Sequence, residues 1–257
     1  MIIDMHTHLC ESNGFLCFDL DHLNFLKRMD ELNIDAVIHS DGGLERPEFE
    51  KNVKDGIELY EKMNHRVYTY FVYDPRYHER GMKCIEENAN HPAFVGIKIH
   101  PSCHNVFADD ESYRPVWEAA KKYNFPILAH TWVNSSYNPN QKFAVPERFE
   151  KFIKEYPEVT FIFGHSGGRT AAIRTAAELA AKYENAYLDI AGDVFEARAV
   201  EYLAKTAGAK KVLFGSDVYW FDPSTQMGLV LGANLSDEEK ADILKGNTLR
   251  IFKKIKL

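Results

Sequence analysis

The sequence predicts a (β/α)8 TIM barrel, and three observations carry that prediction. Eight short apolar runs each stop at a polar residue, and their ends (His8, His39, Asp74, His100, His130, His165, Asp189 and Asp217) are 24 to 35 residues apart. Segments between them place apolar residues three and four apart, the period of an amphipathic helix. No Gly-rich dinucleotide fingerprint follows the first run, so eight strand and helix repeats in 257 residues fit a closed barrel better than an open doubly wound sheet.

The first run, MIIDMHTH (1–8), reads as a strand carrying His6 and His8 at its end. Side chains two apart on a strand share a face, so the two imidazoles project together. A helix over DHLNFLKRMDELN (21–33) leads to the strand AVIHS (36–40), and one over FEKNVKDGIELYEKM (49–63) leads to VYTYFVYD (67–74). The fourth strand, AFVGIKIH (93–100), puts Lys98 and His100 on one face, with Lys98 a layer deeper in the barrel. YRPVWEAAKKY (113–123) is the helix before the fifth strand, FPILAH (125–130). The connection after it, TWVNSSYNPNQKFAV (131–145), is long for this architecture, and long strand-to-helix loops often cover a barrel's site. A helix over PERFEKFIKEY (146–156) precedes the sixth strand, VTFIFGH (159–165), after which Gly167 and Gly168 let the helix AAIRTAAELAAKY (171–183) start close by. AYLDIAGD (186–193) and KVLFGSD (211–217) complete the barrel. The tail, LSDEEKADILKGNTLRIFKKI (235–255), reads as a helix pair with Ser236 as N-cap and Glu239 as its capping-box partner.

Composition bounds the rest. Hydrophobic residues make up 45% and charged residues 27% of a chain without linker-like or low-complexity tracts, so one barrel domain with C-terminal helices is expected over residues 1–257. The net charge of -7 is interspersed and includes no basic block, which argues against nucleic acid or an anionic membrane as partner and for a small-molecule substrate. A homo-oligomer is compatible with this surface. No run approaches the length of a membrane span and MIIDMH lacks the pattern of a signal peptide, so a cytoplasmic location is expected. Cys10, Cys17, Cys84 and Cys103 show no C-x-x-C spacing and are expected to be reduced.

In a barrel the C-terminal strand ends face one mouth, which brings His6, His8, His130, His165 and Asp217 together. Imidazole nitrogens and a carboxylate are ligand types that Zn²⁺, Mn²⁺ and Fe²⁺ accept. The motifs H-T-H, GIKIHP, ILAHT, FIFGHSGG and LFGSD, with the closing ILKGNTLRIF, resemble the amidohydrolase superfamily in its amidohydrolase-related branch. That resemblance spans nearly the whole chain. It implies a single divalent metal, foremost Zn, held by His6, His8, His130 and Asp217, with His165 as a catalytic histidine beside them. It also implies a choice of chemistries, since the branch includes hydrolases, decarboxylases and hydratases.

The leading expectation is a metal-dependent hydrolase acting on a small amide, lactone or ester. Water activated on the ion, whose pKa falls to about 7, would attack the carbonyl while Asp217 takes the proton and His165 orients the water or the oxyanion. The alternative is a metal-dependent decarboxylase or hydratase acting on a small carboxylic acid. Trp132 is expected to stack on a planar substrate and Arg169, at a helix start, to hold a carboxylate, with Tyr219 and Trp220 as pocket walls. Some relatives in the wider superfamily bridge two metals with a carboxylated lysine on the fourth strand. Here one metal is expected, with Lys98 unmodified and facing the substrate.

Overall fold

The computed structural model describes residues 1–10, 17, 21–40 and 48–257. Its strands are β1 Ile2–Thr7, β2 Ile34–His39, β3 Val67–Tyr73, β4 Phe94–Ile99, β5 Ile127–His130, β6 Phe161–Gly164, β7 Ala186–Asp189 and β8 Val212–Leu213. Each pairs in parallel with the next, in the order β1 to β8. Nearly every strand residue is buried, as expected for parallel strands covered on both faces, which is why each reads as an unbroken apolar run. Backbone bonds join the first and last strand regions: Met5 N donates to Phe214 O at 3.0 Å, Asp217 N to His6 O at 2.9 Å and Tyr219 N to His8 O at 3.0 Å. The result is a (β/α)8 TIM barrel, as predicted.

The helices are α1 His22–Leu32, α2 Phe49–Lys62, α3 His78–Asn88, α4 Pro101–His104, α5 Arg114–Tyr123, α6 Glu150–Glu155, α7 Ala171–Lys182, α8 Ala199–Ala207, α9 Pro223–Gly232, α10 Asp237–Ala241 and α11 Asn247–Ile251. Asp21 caps α1, accepting from Leu23 N and Asn24 N. Ser236 and Glu239 form the expected capping box on α10. The tail departs from a simple helix pair: a π turn over Asp242–Gly246 joins α10 to α11, and it buries Ile243 beside β8 while keeping Asn247 and Thr248 inside. The segment expected as one helix over 146–156 opens as a 3-10 turn, Pro146–Phe149, before α6. No helix among the described residues is long and apolar enough to cross a membrane.

Apolar side chains form two layers. The larger lies between strands and helices, where Trp117 packs its ring against Phe152 and Phe161. The smaller fills the barrel with Ile3, Met5, Ala36, Ile38, Leu128, Ile162 and Leu213, joined by Phe252 and Ile255 from the C-terminal segment. That segment closes the end opposite the mouth. Tyr68, at the start of β3, donates to Lys256 O at 3.1 Å and accepts from Lys256 N at 3.0 Å, and Lys254 Nζ donates to the carbonyls of Ala89, His91 and Phe94.

The entry to β7 depends on Asn185, whose buried Nδ2 donates to the carbonyls of Ile153, Tyr156 and Val159, each at 3.0 Å. Asn185→Ala removes this donor from the three carbonyls, Tyr156 O keeping its bond from Val159 N, and is expected to cost about 1–3 kcal/mol. The measurement is the shift of the urea midpoint at unchanged slope.

Candidate metal centre

The seam between β1 and β8 builds the centre. A register shift between Asp4 and Thr7 interrupts the alternation of β1, so Met5 belongs to the inner apolar cluster while His6 and His8 still turn into the mouth. Asp4, fully buried, fastens the seam by accepting from Ser216 N at 3.0 Å and Ser216 Oγ at 2.5 Å. Asp217 follows at φ 67, a left-handed backbone that aims its carboxylate back across the mouth. Gly192, at φ 65, stands opposite, and a Cβ there would collide with Asp217 Oδ2.

Three expected residues meet closely. His6, His165 and Asp217 bring ligand atoms within 4.8 Å of one another, the one such group of His, Cys, Asp or Glu found among the described residues. His8 joins them through Asp217: Asp217 Oδ1 lies 3.3 Å from His6 Nε2 and 3.6 Å from His8 Nε2, and Asp217 Oδ2 lies 3.5 Å from His165 Nδ1. The His130 ring sits 4.9 Å from that of His165, outside the three-residue group, and its Nε2 donates to Gln141 Oε1 at 3.1 Å.

Each ring is oriented by an acceptor. His6 Nδ1 donates to Asp189 Oδ2 at 2.9 Å, His8 Nδ1 to Ser40 O at 2.9 Å and His165 Nδ1 to Ala191 O at 3.1 Å. Those bonds leave Nε2 as the nitrogen with a lone pair in all three. Burial is the main reason all three imidazoles titrate below their ordinary range, His165 down to about 4. Neutral imidazoles with Nε2 lone pairs are what a divalent ion requires. Asp217 Oδ1 is buried and accepts no hydrogen bond, although it faces His6 and His8. This orphaned carboxylate oxygen and the paired Nε2 atoms fit a divalent cation.

Lys98 points into the barrel from β4, as the strand parity predicts, and its Nζ donates to His6 Nε2 at 2.7 Å. Burial, partly countered by Asp217 and Asp189, lowers its ammonium to about 8. Flat rings surround the group. His100 stacks on His130 at 3.9 Å and 9°, Trp132 lies parallel to His130 at 6.0 Å, and Trp220 stacks on His8 at 4.0 Å. Tyr219 turns its hydroxyl to His22 Nδ1 at 2.9 Å. Arg169 bonds Asp193 Oδ2 at 2.6 Å and lies over the rings of Phe195 and Trp132. Gly168 gives the backbone room against Trp132, whose ring would meet a Cβ at that position.

Sequence reasoning assigned no role to Asp189, Ser40 or Gln141. Asp189 had a signal, an acid inside the apolar run AYLDIAG. Its Oδ1 accepts from His165 N at 2.8 Å and Ala191 N at 3.0 Å while Oδ2 holds His6, so one carboxylate sets two histidines. Asp189→Asn keeps the shape but turns an NH2 toward one of these donors. Divalent-metal affinity is expected to fall roughly 10–100-fold, read by chelator competition, and an unchanged affinity would detach Asp189 from ligand orientation.

Comparison with known proteins places these residues in context. The family model described as Amidohydrolase matches residues 3–254. No curated protein matches the chain in sequence. Among solved structures, 5-carboxyvanillate decarboxylase from Sphingomonas paucimobilis is 14% identical with a TM-score of 0.73, covering 98% of each chain. A dihydroxybenzoic acid decarboxylase from Polaromonas sp. JS666, solved with manganese and the inhibitor 2-nitroresorcinol, is 18% identical with a TM-score of 0.76, covering 98% of this chain and 96% of that one. 4-Oxalomesaconate hydratase from Rhodopseudomonas palustris is 19% identical with a TM-score of 0.71, covering 99% of this chain and 96% of that one. At such identities the likeness establishes the fold, whereas the family model spans nearly every residue: the chain belongs to the amidohydrolase family.

Proposed function

We propose that this chain is a metal-dependent lyase that decarboxylates a small, planar carboxylic acid. The observation that carries the reading is the set of flat ring faces, His100, His130, Trp132 and Trp220, around the buried pair Asp217 and His165. A mouth lined by such flat rings favours a planar, unsaturated acid, which can lay its own face against them, over a tetrahedral or flexible amide or ester. The names of the neighbours support this choice, since two are decarboxylases and one a hydratase.

In this reading His6, His8, His130 and Asp217 would hold one divalent ion, Zn or Mn. When bound, the ion supplies Lewis acidity that draws in and polarises an anionic oxygen of the substrate. Lys98 Nζ, which bonds His6 Nε2 here, would turn to a substrate oxygen when that nitrogen holds the ion. Trp132 stacks on the substrate plane, and Arg169, steadied by Asp193, faces anionic groups arriving at the rim. As the bond to the carboxylate breaks, its electron pair stays on the substrate carbon and CO2 leaves. Asp217 delivers a proton to that carbon, and solvent restores the proton by way of His165.

Hydrolysis, the leading expectation of the sequence, would use the same residues with Asp217 accepting a proton from attacking water. Product analysis separates the two. Metal-loaded protein given hydroxybenzoates and unsaturated diacids in D2O is expected to release CO2 and place one deuteron on the carbon that lost it. Absence of CO2 from these acids together with cleavage of small amides, esters or lactones that places label from ¹⁸O-water in the product carboxylate would overturn the lyase in favour of the hydrolase, and addition of water across a double bond would favour a hydratase.

Two substitutions test the roles. Asp217→Asn is expected to lower turnover by about 10²–10⁴-fold even in protein that retains metal. His165→Ala is expected to keep the metal and lose rate; loss of metal in step with activity would make His165 a ligand, as its place in the close group with His6 and Asp217 allows.

A further inference from the structure

His130 is held differently from the other histidines of the mouth. His6, His8 and His165 donate through Nδ1, whereas His130 donates through Nε2, to Gln141 Oε1 at 3.1 Å. Gln141 is 6% exposed and lies in the 3-10 turn Pro139–Phe143, within the long connection that follows β5. Its Oε1 also accepts from Ser102 Oγ at 2.7 Å, and Ser102 is buried in α4, directly after β4. The same amide oxygen therefore ties two mouth loops to one imidazole. The opposite constraint comes from His100, whose ring lies flat on that of His130 at 3.9 Å. A ring fixed at its edge and across its face has little freedom left.

We propose that Gln141 is the positioning residue for His130. It fixes the ring as the Nε2–H tautomer, so that Nδ1 is the nitrogen with a lone pair for the divalent ion. The inference rests on the reading of His130 as a metal ligand. It assigns to the loop over 131–145 a direct influence on metal affinity, because displacement of that loop removes the acceptor that sets the tautomer. Ser102 anchors the acceptor from the neighbouring loop. Histidine ligands generally depend on such an acceptor at the other ring nitrogen, and its removal weakens metal binding about 10–100-fold.

The test is Mn²⁺ binding by chelator competition and electron paramagnetic resonance, with ¹⁵N resonances of the histidines reporting the tautomer in metal-free protein. Gln141→Leu is expected to weaken Mn²⁺ binding about 10–100-fold and to shift the His130 nitrogens away from the Nε2–H pattern. Gln141→Glu, which keeps an acceptor at the same reach, is expected to restore affinity to within a few-fold of the parent. Gln141→Asn shortens the arm by one methylene and serves where the leucine variant does not fold; it too is expected to weaken binding. Unchanged or tighter Mn²⁺ binding in a folded Gln141→Leu or Gln141→Asn protein would overturn the proposal, the tighter result marking Gln141 as a competitor of the ion. His130→Ala separates the two levels. Parent-like Mn²⁺ binding in His130→Ala removes the ligand reading itself, whereas loss there with no loss in the Gln141 variants removes the role of Gln141 alone.

Discussion

Everything at the mouth depends on the seam where the chain's first strand meets its last. His6 and Asp217 are far apart in sequence, yet Asp217 N donates to His6 O at 2.9 Å, and this backbone contact fixes the separation of their side chains. Asp4 reinforces it from beneath, with one carboxylate bonded to both N and Oγ of Ser216. The register shift in β1 is the other half of the constraint. With strict alternation, Met5 in the inner cluster would send His6 outward; the shift lets an apolar residue fill the barrel and the next residue face the mouth. The seam thus joins a packed interior to a polar site within one step of the chain.

Around it, orientation passes outward by single bonds. Asp189 steers His6 through its side chain and His165 through its backbone, Ser40 steers His8 and Ala191 steers the His165 ring. His165 and Ser166 both adopt left-handed backbone, at φ 59 and 47, so the sixth strand breaks sharply where its histidine must turn inward. Asp217 does the same at the eighth strand. At these three positions, which lack glycine's freedom, the left-handed backbone is held by bonds that also orient the site: His165 N donates to Asp189 Oδ1, Ser166 Oγ to Asp189 O and Asp217 N to His6 O.

The sequence made the barrel visible because parallel strands buried on both faces leave continuous apolar runs, and the mouth lies where each run meets its first polar residue. His6, His8, His165 and Asp217 could be read that way, and the structure brings them together. The partners that orient them could not. Ser40 and Ala191 act through backbone carbonyls, which carry no side-chain signature, and Gln141 sits in a connection without periodicity. Asp189 left a trace as a charged residue in an apolar run, a pattern shared with Asp4. Among the longer helices, α3, α8 and α9 went unassigned, and α9 did so because PSTQMGLVLG spreads its apolar residues around the axis instead of confining them to one face. The π turn in the tail arises from packing against β8, which no local pattern of residues encodes.

The polar interior sets a problem that the rest of the fold must carry. Asp4, Asp189 and Asp217 are buried, and Lys98 is the one buried lysine or arginine among the described residues. Burial raises Asp4 to about 7 and Asp217 well above its ordinary range, and it lowers Lys98, so each group is penalised in its charged form. Apolar residues of similar volume would generally make a more stable centre. A carboxylate oxygen without a hydrogen bond, facing two imidazole nitrogens, makes sense as a site shaped for a cation instead of for the stability of the chain alone. The compensating cohesion lies elsewhere: in the large apolar layer outside the strands, and in the C-terminal plug whose Lys254 and Lys256 contacts close the far end of the barrel. Stability is therefore drawn from the packed layer around the strands and from their far end, while the buried carboxylates and Lys98 gather at the mouth.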